Sequence, residues 1–401
     1  MLKGKKIILG ISGSIAAYKS ITLLRLLIKA GAEVKVILTP NATEFVSPLV
    51  LSTLSKNPVG IELMQDGQWS NHVHLGSWAD LMIIAPLSCN TLAKLAHGLC
   101  DNLLLATFLS ARCPVIVAPA MDEEMWHHKM VQTNLDKIRK ELNIEVLEVK
   151  NGELASGIFG MGRMTEPEEI LNYIKEKYFR TKEFLGKKIM ITCGPTKEKI
   201  DPVRFISNFS SGKMGLALAE SFYQKGADVY LISGNESIKS AFQSLHIIYV
   251  ESSQEMFEKC QEHYKEMDFL IMSAAVADYK PFQKEIQKIK KNNPEQDLKL
   301  VKTIDILAYL GEHKKNHQIL IGFALETEKG LQHAQEKLTR KKLDYIILNE
   351  ISDNNKCFQS EENEITLVDK EFNSTYFSKQ SKKEIAHLLT TYFSNKLNQK
   401  S

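Results

Sequence analysis

Apolar residues in the first part of the chain fall into short blocks separated by small and polar turns. Residues 7–11 are continuously apolar, and Ser12-Gly13-Ser14 then turns the chain. Residues 15–30 carry leucines at helical spacing and stop at Gly31. Residues 34–38, 81–85 and 115–118 predict three more strands, with helices over 92–98 and 102–111. Strands apolar on both faces that alternate with helices form a buried parallel sheet. Ligands of such sheets sit beyond the carboxyl ends of the strands. The turns at 10–14, Thr39, 86–91 and 119–122 therefore form one predicted constellation.

The pattern restarts after a charged, irregular stretch at 178–184, read as a linker. Leu185-Gly-Lys-Lys-Ile189 echoes Leu2-Lys-Gly-Lys-Lys-Ile7, but the loops that follow differ, so this is a second domain and not a tandem repeat. Predicted strands run over 228–232, 246–250, 269–273, 319–323 and 345–348, with helices between. Residues 364–368 and 374–377 alternate polar and apolar, as an antiparallel hairpin at a sheet edge does. A helix from about 381 closes the chain. The expected domains are 1–180 and 186–401, both α/β: an N-terminal flavodoxin-like parallel sheet, then a second Rossmann-like unit.

Composition changes this picture little. A chain of 401 residues exceeds one ordinary core. With 44% hydrophobic and 25% charged residues it is of ordinary globular composition. A net charge of +3 gives no global pull toward nucleic acid or an anionic membrane. No apolar run is long enough to span a bilayer. The six cysteines (Cys89, Cys100, Cys113, Cys193, Cys260, Cys357) have no paired spacing, so neither a zinc site nor a disulfide framework is expected. Free thiols fit a cytoplasmic location. The basic, apolar N-terminus reads as a first strand and not as a signal peptide, because Gly and Ser interrupt it.

Candidate chemistry lies in the loops. Ile206-Ser-Asn-Phe-Ser-Ser-Gly-Lys-Met-Gly215 opens a helix predicted over 214–224. Its small residues leave backbone N–H groups free, which with the helix dipole and Lys213 suits a phosphate. It does not satisfy the Walker A pattern, and alone it reads equally as a serine-rich cap. Gly10-Ile-Ser-Gly-Ser-Ile-Ala-Ala17 lacks GxGxxG and suits a single phosphate better than a dinucleotide. His72 and His74, read as loop residues, do not by themselves make a metal site. The glycine-rich 152–164 tract, with Arg163, has the composition of a mobile lid or a plain surface loop. Ser273-Ala-Ala-Val-Ala-Asp278 leaves a strand through small residues that admit a ligand ring. Lys288-Ile-Lys-Lys291 follows, and Lys337 and Lys341 lie a helical turn apart. With Lys213 these lysines would suit a triphosphate.

Taken together these motifs resemble, nearly end to end, the bacterial bifunctional phosphopantothenoylcysteine decarboxylase/phosphopantothenate–cysteine ligase family of coenzyme A biosynthesis. Gly194-Pro-Thr196, the 201–215 run from Asp201-Pro-Val-Arg204 onward, Ser273–Asp278, Lys288–Lys291, Gly322-Phe323, Lys337 and Lys341 occur in family order. The resemblance implies a second domain that binds CTP and Mg²⁺, activates 4′-phosphopantothenate as an acyl-cytidylate, and lets cysteine displace CMP. Asn208 would contact the acyl intermediate, with Ser210, Ser211, Gly212 and Lys213 on the substrate. Ser273, Ala274, Ala275, Asp278, Lys288, Phe323, Lys337 and Lys341 would hold the nucleotide, Asp278 the metal, and Lys288 would also assist the second half-reaction.

The first domain resembles the flavin-dependent cysteine decarboxylases. Gly13, Ser14, Ile15, Thr39, Ser88, Asn90, Thr91, Asp101 and Asn102 would bind FMN, His72 matches the essential histidine, and Met121, Asp122 and Arg163 would meet the substrate. Two positions depart from the pattern. Asp122 replaces the asparagine that binds the substrate carboxylate, and Ser156 replaces the lid cysteine that donates a proton. A thiol, with a pKa of about 8.5, is a far stronger acid than a serine hydroxyl; Cys89 is an alternative donor. The resemblance further implies trimers of flavin domains joined through dimeric ligase domains into a dodecamer. Two other readings are a ligase whose flavin domain is incomplete and a flavin-binding regulatory scaffold. A generic NAD dehydrogenase is weaker, lacking the fingerprint.

Overall fold

The computed structural model describes residues 2–65, 68–290, 297–326, 329–350 and 361–399. Lys291 and Cys357 lie outside the described residues. The chain divides into two compact units, Met1–Phe179 and Arg180–Ser401.

In the first unit, β1 (Lys6–Ile11), β2 (Glu33–Leu38), β3 (Leu81–Leu87), β4 (Val115–Pro119) and β5 (Glu145–Val146) form one sheet in the order β2-β1-β3-β4-β5. Every pairing is parallel. This is the flavodoxin-like strand order, whose ligand crevice opens at the β1/β3 switch point. The sheet buries because its strands are apolar throughout: all seven residues of β3 are buried. The helix Tyr18–Lys29 lays the fully buried Leu23, Leu24 and Leu27 against it, each stabilising the fold by about 1.5–3 kcal/mol. The two-residue β5 was not visible in the sequence pattern. The 152–164 tract is a β-hairpin, with Lys150–Glu153 paired to Phe159–Arg163. His72 and His74 lie on a helix, His72–Trp78, and not in a loop. Asn71 starts it: its left-handed φ of 31° ends the preceding segment and its side chain accepts from His74 N–H.

In the second unit, β6 (Lys188–Cys193), β7 (Asp228–Ser233), β8 (His246–Tyr249), β9 (Phe269–Met272), β10 (Ile319–Glu326), β11 (Tyr345–Glu350), β12 (Glu362–Asp369) and β13 (Ser374–Ser381) form an eight-stranded sheet. The order is β8-β7-β6-β9-β10-β11-β12-β13. Its first six strands are parallel, in doubly wound Rossmann order, with the switch point between β6 and β9. The final hairpin adds antiparallel at the edge, as its alternating pattern predicts. The segment read as a linker is structured at its far end. Arg180 donates to the carbonyls of Tyr223 and Ala227, and Phe184 is fully buried against Phe222 and Phe269.

Candidate active sites

The loop after β1 is tied to the end of β3 and the loop that follows it through Ser12, whose N–H donates to the Pro86 carbonyl at 3.3 Å. Ser12 Oγ donates to the Pro86 carbonyl at 2.8 Å and accepts from Ser88 N–H at 2.8 Å. Gly13 lies so close to the next loop that a Cβ there would meet Asn41 Cβ at 3.1 Å and its carbonyl at 3.2 Å. Ser14 caps the turn Ile15–Ala17, Ser88 caps the helix Cys89–His97, and Asn102 caps Leu103–Ser110. Each cap directs its helix start to the carboxyl edge of the sheet. Asp122 starts the short helix Glu123–His127 and accepts from Glu123 N–H at 2.8 Å.

These starts converge on one cavity of about 850 Å³. It is lined by Gly13, Ser14, Ile15, Thr39, Ser88, Asn90, Thr91, Asp101 and Asn102, together with Met121, Asp122 and Arg163. The β-hairpin closes one side. Gly162, at φ 139°, lets its strand run against the Met121 carbonyl, which a Cβ would strike, and Met121 N–H donates to the Gly162 carbonyl at 3.1 Å. Two expected residues are not among the lining groups. His72 has its ring edge-on to Trp69 at 5.5 Å, with Nδ1 buried and unpartnered. Ser156 is exposed in the hairpin turn.

Sequence reasoning missed Lys19, Lys94 and Glu153, which also line the cavity. Lys19 is buried, donating to Glu166 at 2.6 Å and the Met164 carbonyl at 3.1 Å, and Lys94 pairs with Asp101. Asp122 and Glu153, which also line the cavity, have no ion-pair partner among the described residues. Burial raises the Cys89 thiol above its ordinary value, which keeps it protonated near neutrality.

At the switch point of the second unit, three loops are stitched together. Gly194, at φ 76°, accepts from Ala275 N–H at 2.9 Å. The buried Thr196 accepts from Ala277 N–H at 3.0 Å through its hydroxyl and from Ser207 Oγ at 2.7 Å through its carbonyl. Asn208 Nδ2 donates to the Val276 carbonyl at 3.0 Å. The helix Lys213–Gln224 starts at Gly212, φ 75°. The structure brings Asn208, Gly212 and the run from Ser273 to Ala275 to one edge of the sheet.

The lysines are more engaged than the sequence implied. Lys213, expected to be free for a phosphate, pairs with Glu361. Lys337 donates to the Phe323 carbonyl at 2.9 Å and Lys341 pairs with Asp305 at 2.7 Å. Burial, and then the charge of Lys341, hold the Lys337 ammonium below its ordinary pKa. The helix ends at Arg340, so Lys341 is its cap and not part of it. Asp278 and Lys288 are exposed. Among the described residues no cluster of three or more His, Cys, Asp or Glu could hold a metal ion.

Residues 1–179 match the flavoprotein family, and residues 184–396 match the DNA/pantothenate metabolism flavoprotein C-terminal domain. A cysteine/cysteine sulfinic acid decarboxylase from an unknown prokaryotic organism is 45% identical over 347 residues, 85% of this chain and 96% of that one. The coenzyme A biosynthesis bifunctional protein CoaBC of Haemophilus influenzae is 42% identical over 368 residues, 91% of each chain. That of Bacillus subtilis is 41% identical over 376 residues, 92% of each.

Proposed function

The chain belongs to the flavoprotein and DNA/pantothenate metabolism family that contains the bifunctional coenzyme A biosynthesis proteins, and on that premise we propose how its two units share the work. The second unit joins 4′-phosphopantothenate to L-cysteine, using CTP and Mg²⁺ through an acyl-cytidylate. The first decarboxylates the product to 4′-phosphopantetheine. The observation that carries this reading is the convergence of Gly13, Ser14, Ile15, Thr39, Ser88, Asn90, Thr91, Asp101 and Asn102 on one cavity at the β1/β3 switch point.

That cavity fits FMN. Gly13 gives a close backbone approach, the helix starts offer N–H groups to one phosphate, and about 850 Å³ suits a cofactor together with the reacting end of a substrate. Held there by Gly13, Ser14, Ser88, Asn90 and Asn102, FMN would supply reversible two-electron redox chemistry at the cysteinyl thiol end of the substrate, easing loss of CO₂. Met121 and Arg163 lie where they can hold the substrate beside it. Cys89, protonated in the cavity wall, is the nearest counterpart to the proton donor that Ser156 cannot supply. His72 does not line its own chain's cavity, which supports sites completed by a second copy, as in trimers of flavin units within a dodecamer. In the second unit Asp278 is a single carboxylate, so Mg²⁺ would be held jointly with nucleotide phosphates. Lys337 and Lys341 neutralise charge building on the leaving pyrophosphate. Asn208 contacts the acyl group, and Lys288 assists attack by cysteine. No described helix is long and apolar enough to cross a membrane, and the reading places the enzyme in the cytoplasm.

One observation favours a second substrate for the first unit. Asp122 and Glu153 stand unpaired in the cavity wall, where a free α-ammonium group would be welcome and a lone carboxylate repelled. Phosphopantothenoylcysteine carries an amide at that position, and free cysteine carries an ammonium. The test is CO₂ release by yellow, FMN-loaded protein from each substrate. Preference for phosphopantothenoylcysteine, increased by Asp122→Asn, upholds the main reading. Preference for free cysteine, lost in Asp122→Asn, replaces it.

A further inference from the structure

We propose that Asp201 is a positioning residue for Lys288, gripping the backbone of the residue that follows it and so fixing Lys288 relative to Asn208. The inference rests on the role given to Lys288 in transfer to cysteine.

Residues 200–204 turn between the short antiparallel strands Lys197–Lys199 and Phe205–Ser207. A turn of this kind needs one side-chain oxygen to cap it, and Asp201 Oδ1 supplies that, accepting from Val203 N–H and Arg204 N–H, both at 2.8 Å. The second oxygen does something the turn does not require. Asp201 Oδ2 accepts from Arg204 Nε at 2.9 Å and Nη2 at 2.5 Å, and from Ile289 N–H at 3.2 Å, a residue 88 positions away. Arg204 Nη2 also donates to the Ile289 carbonyl at 2.8 Å. Both backbone groups of Ile289 are thus held by one unit, the buried Asp201 carboxylate and the partly exposed Arg204 guanidinium. Glu285 N–H donates to the Ile200 carbonyl at 2.9 Å and holds the other end of the segment.

Lys288 sits inside this fastened stretch, its side chain exposed. The same turn leads through Phe205–Ser207 directly into Asn208, whose side chain is fixed on Val276. One clamp therefore sets the spacing between the residue assigned to the acyl group and the lysine assigned to the incoming amine. Burial alone would push the Asp201 carboxyl up. The hydrogen bonds from Val203, Arg204 and Ile289 outweigh it and hold the group well below the usual carboxylate range, so it stays charged as the clamp needs.

The experiment uses the full chain and separates the two half-reactions. Pyrophosphate release from CTP, Mg²⁺ and 4′-phosphopantothenate without cysteine reads the first, and CMP release on adding cysteine reads the second. The variants are Asp201→Asn, Arg204→Lys, Lys288→Gln and the double variant Asp201→Asn/Lys288→Gln. Arg204→Lys spares the turn while releasing the Ile289 carbonyl, and serves if Asp201→Asn does not fold. We expect Asp201→Asn and Arg204→Lys to keep pyrophosphate release within about twofold and to lose about 10²-fold in transfer, the cost of misplacing a reacting group by an ångström. The double variant should transfer no worse than Lys288→Gln, because Asp201 acts through that lysine. The Ile289 amide should exchange faster with solvent in Asp201→Asn while the β6 amides keep their protection. Equal loss of both half-reactions, or a further loss in the double variant, overturns the proposal and leaves Asp201 as general scaffolding. Normal transfer by Lys288→Gln overturns the role of Lys288 itself, and the positioning role with it.

Discussion

Gly215→Ala tests how tightly the ligase site depends on the approach of a helix to the sheet. Gly215 is the third residue of the helix Lys213–Gln224, facing the ends of β6 and β9. A Cβ there would lie 2.7 Å from Ser273 Oγ, about 0.7 Å short of the 3.4 Å at which ordinary contact begins, and closer still to Cys193 Cβ. Ser273 is held by its 2.6 Å hydrogen bond to the Thr192 carbonyl, and a Cβ on a buried strand cannot rotate away. The helix must therefore retreat. Overpacking of this kind costs about 1–3 kcal/mol, and alanine's better helix propensity offsets up to about 1 kcal/mol. The net, about 1–2 kcal/mol at the middle of these ranges, lowers the melting temperature of a unit this size by about 2–8 °C. The retreat carries Ser210–Lys213 with it, so ligation should fall by about 10–100-fold. Differential scanning calorimetry and pyrophosphate release measure the two effects. Flavin content and decarboxylation of supplied phosphopantothenoylcysteine should not change, since Gly215 belongs to the other unit. An unchanged or raised melting temperature with normal ligation would refute the close-approach argument.

Further expectations follow from other contacts. Ser12→Ala removes the hydroxyl joining Pro86 to Ser88, leaves the Ser88 N–H unpaired at about 1–3 kcal/mol, and should weaken FMN binding in a fluorescence titration; unchanged affinity would count against the cradle. Ser156→Cys should leave the ratio of saturated product to the species two hydrogens lighter unchanged in mass spectrometry, because Cys89 already donates the proton; a raised ratio would remove Cys89 from that role. Asp201 has its carboxyl held down in the folded state, so its contribution to stability is present above its unfolded pKa of about 3.9 and is lost as the pH falls below that value. The second unit's melting temperature should therefore drop more steeply below about pH 4 in the native protein than in Asp201→Asn, and parallel profiles would contradict this.

Both sheets were legible because their strands are apolar on both faces and end in small or polar residues. The edge hairpin was legible for the opposite reason, its alternation. The two-residue Glu145–Val146 was not, being too short and only half-buried to leave a pattern. The helix over His72–Trp78 was hidden by Gly76, an unfavourable helix residue that is needed there because a Cβ would meet the Ser110 backbone at 2.6 Å. In the sites, loops at strand ends could be found from position alone. What filled their charges could not. Lys19 finds Glu166 147 residues away, Lys213 finds Glu361 148 residues away, and Asp201 finds Ile289 88 residues away. Those partners are set by topology, and no local spacing announces them.

Both steps fall to one chain, despite Asp122 and Ser156. The most direct measurement is the product mass from purified yellow protein given 4′-phosphopantothenate, L-cysteine, CTP and Mg²⁺. The expected mass is that of 4′-phosphopantetheine. Accumulation of phosphopantothenoylcysteine, a product two hydrogens lighter than 4′-phosphopantetheine, or no product at all would contradict it.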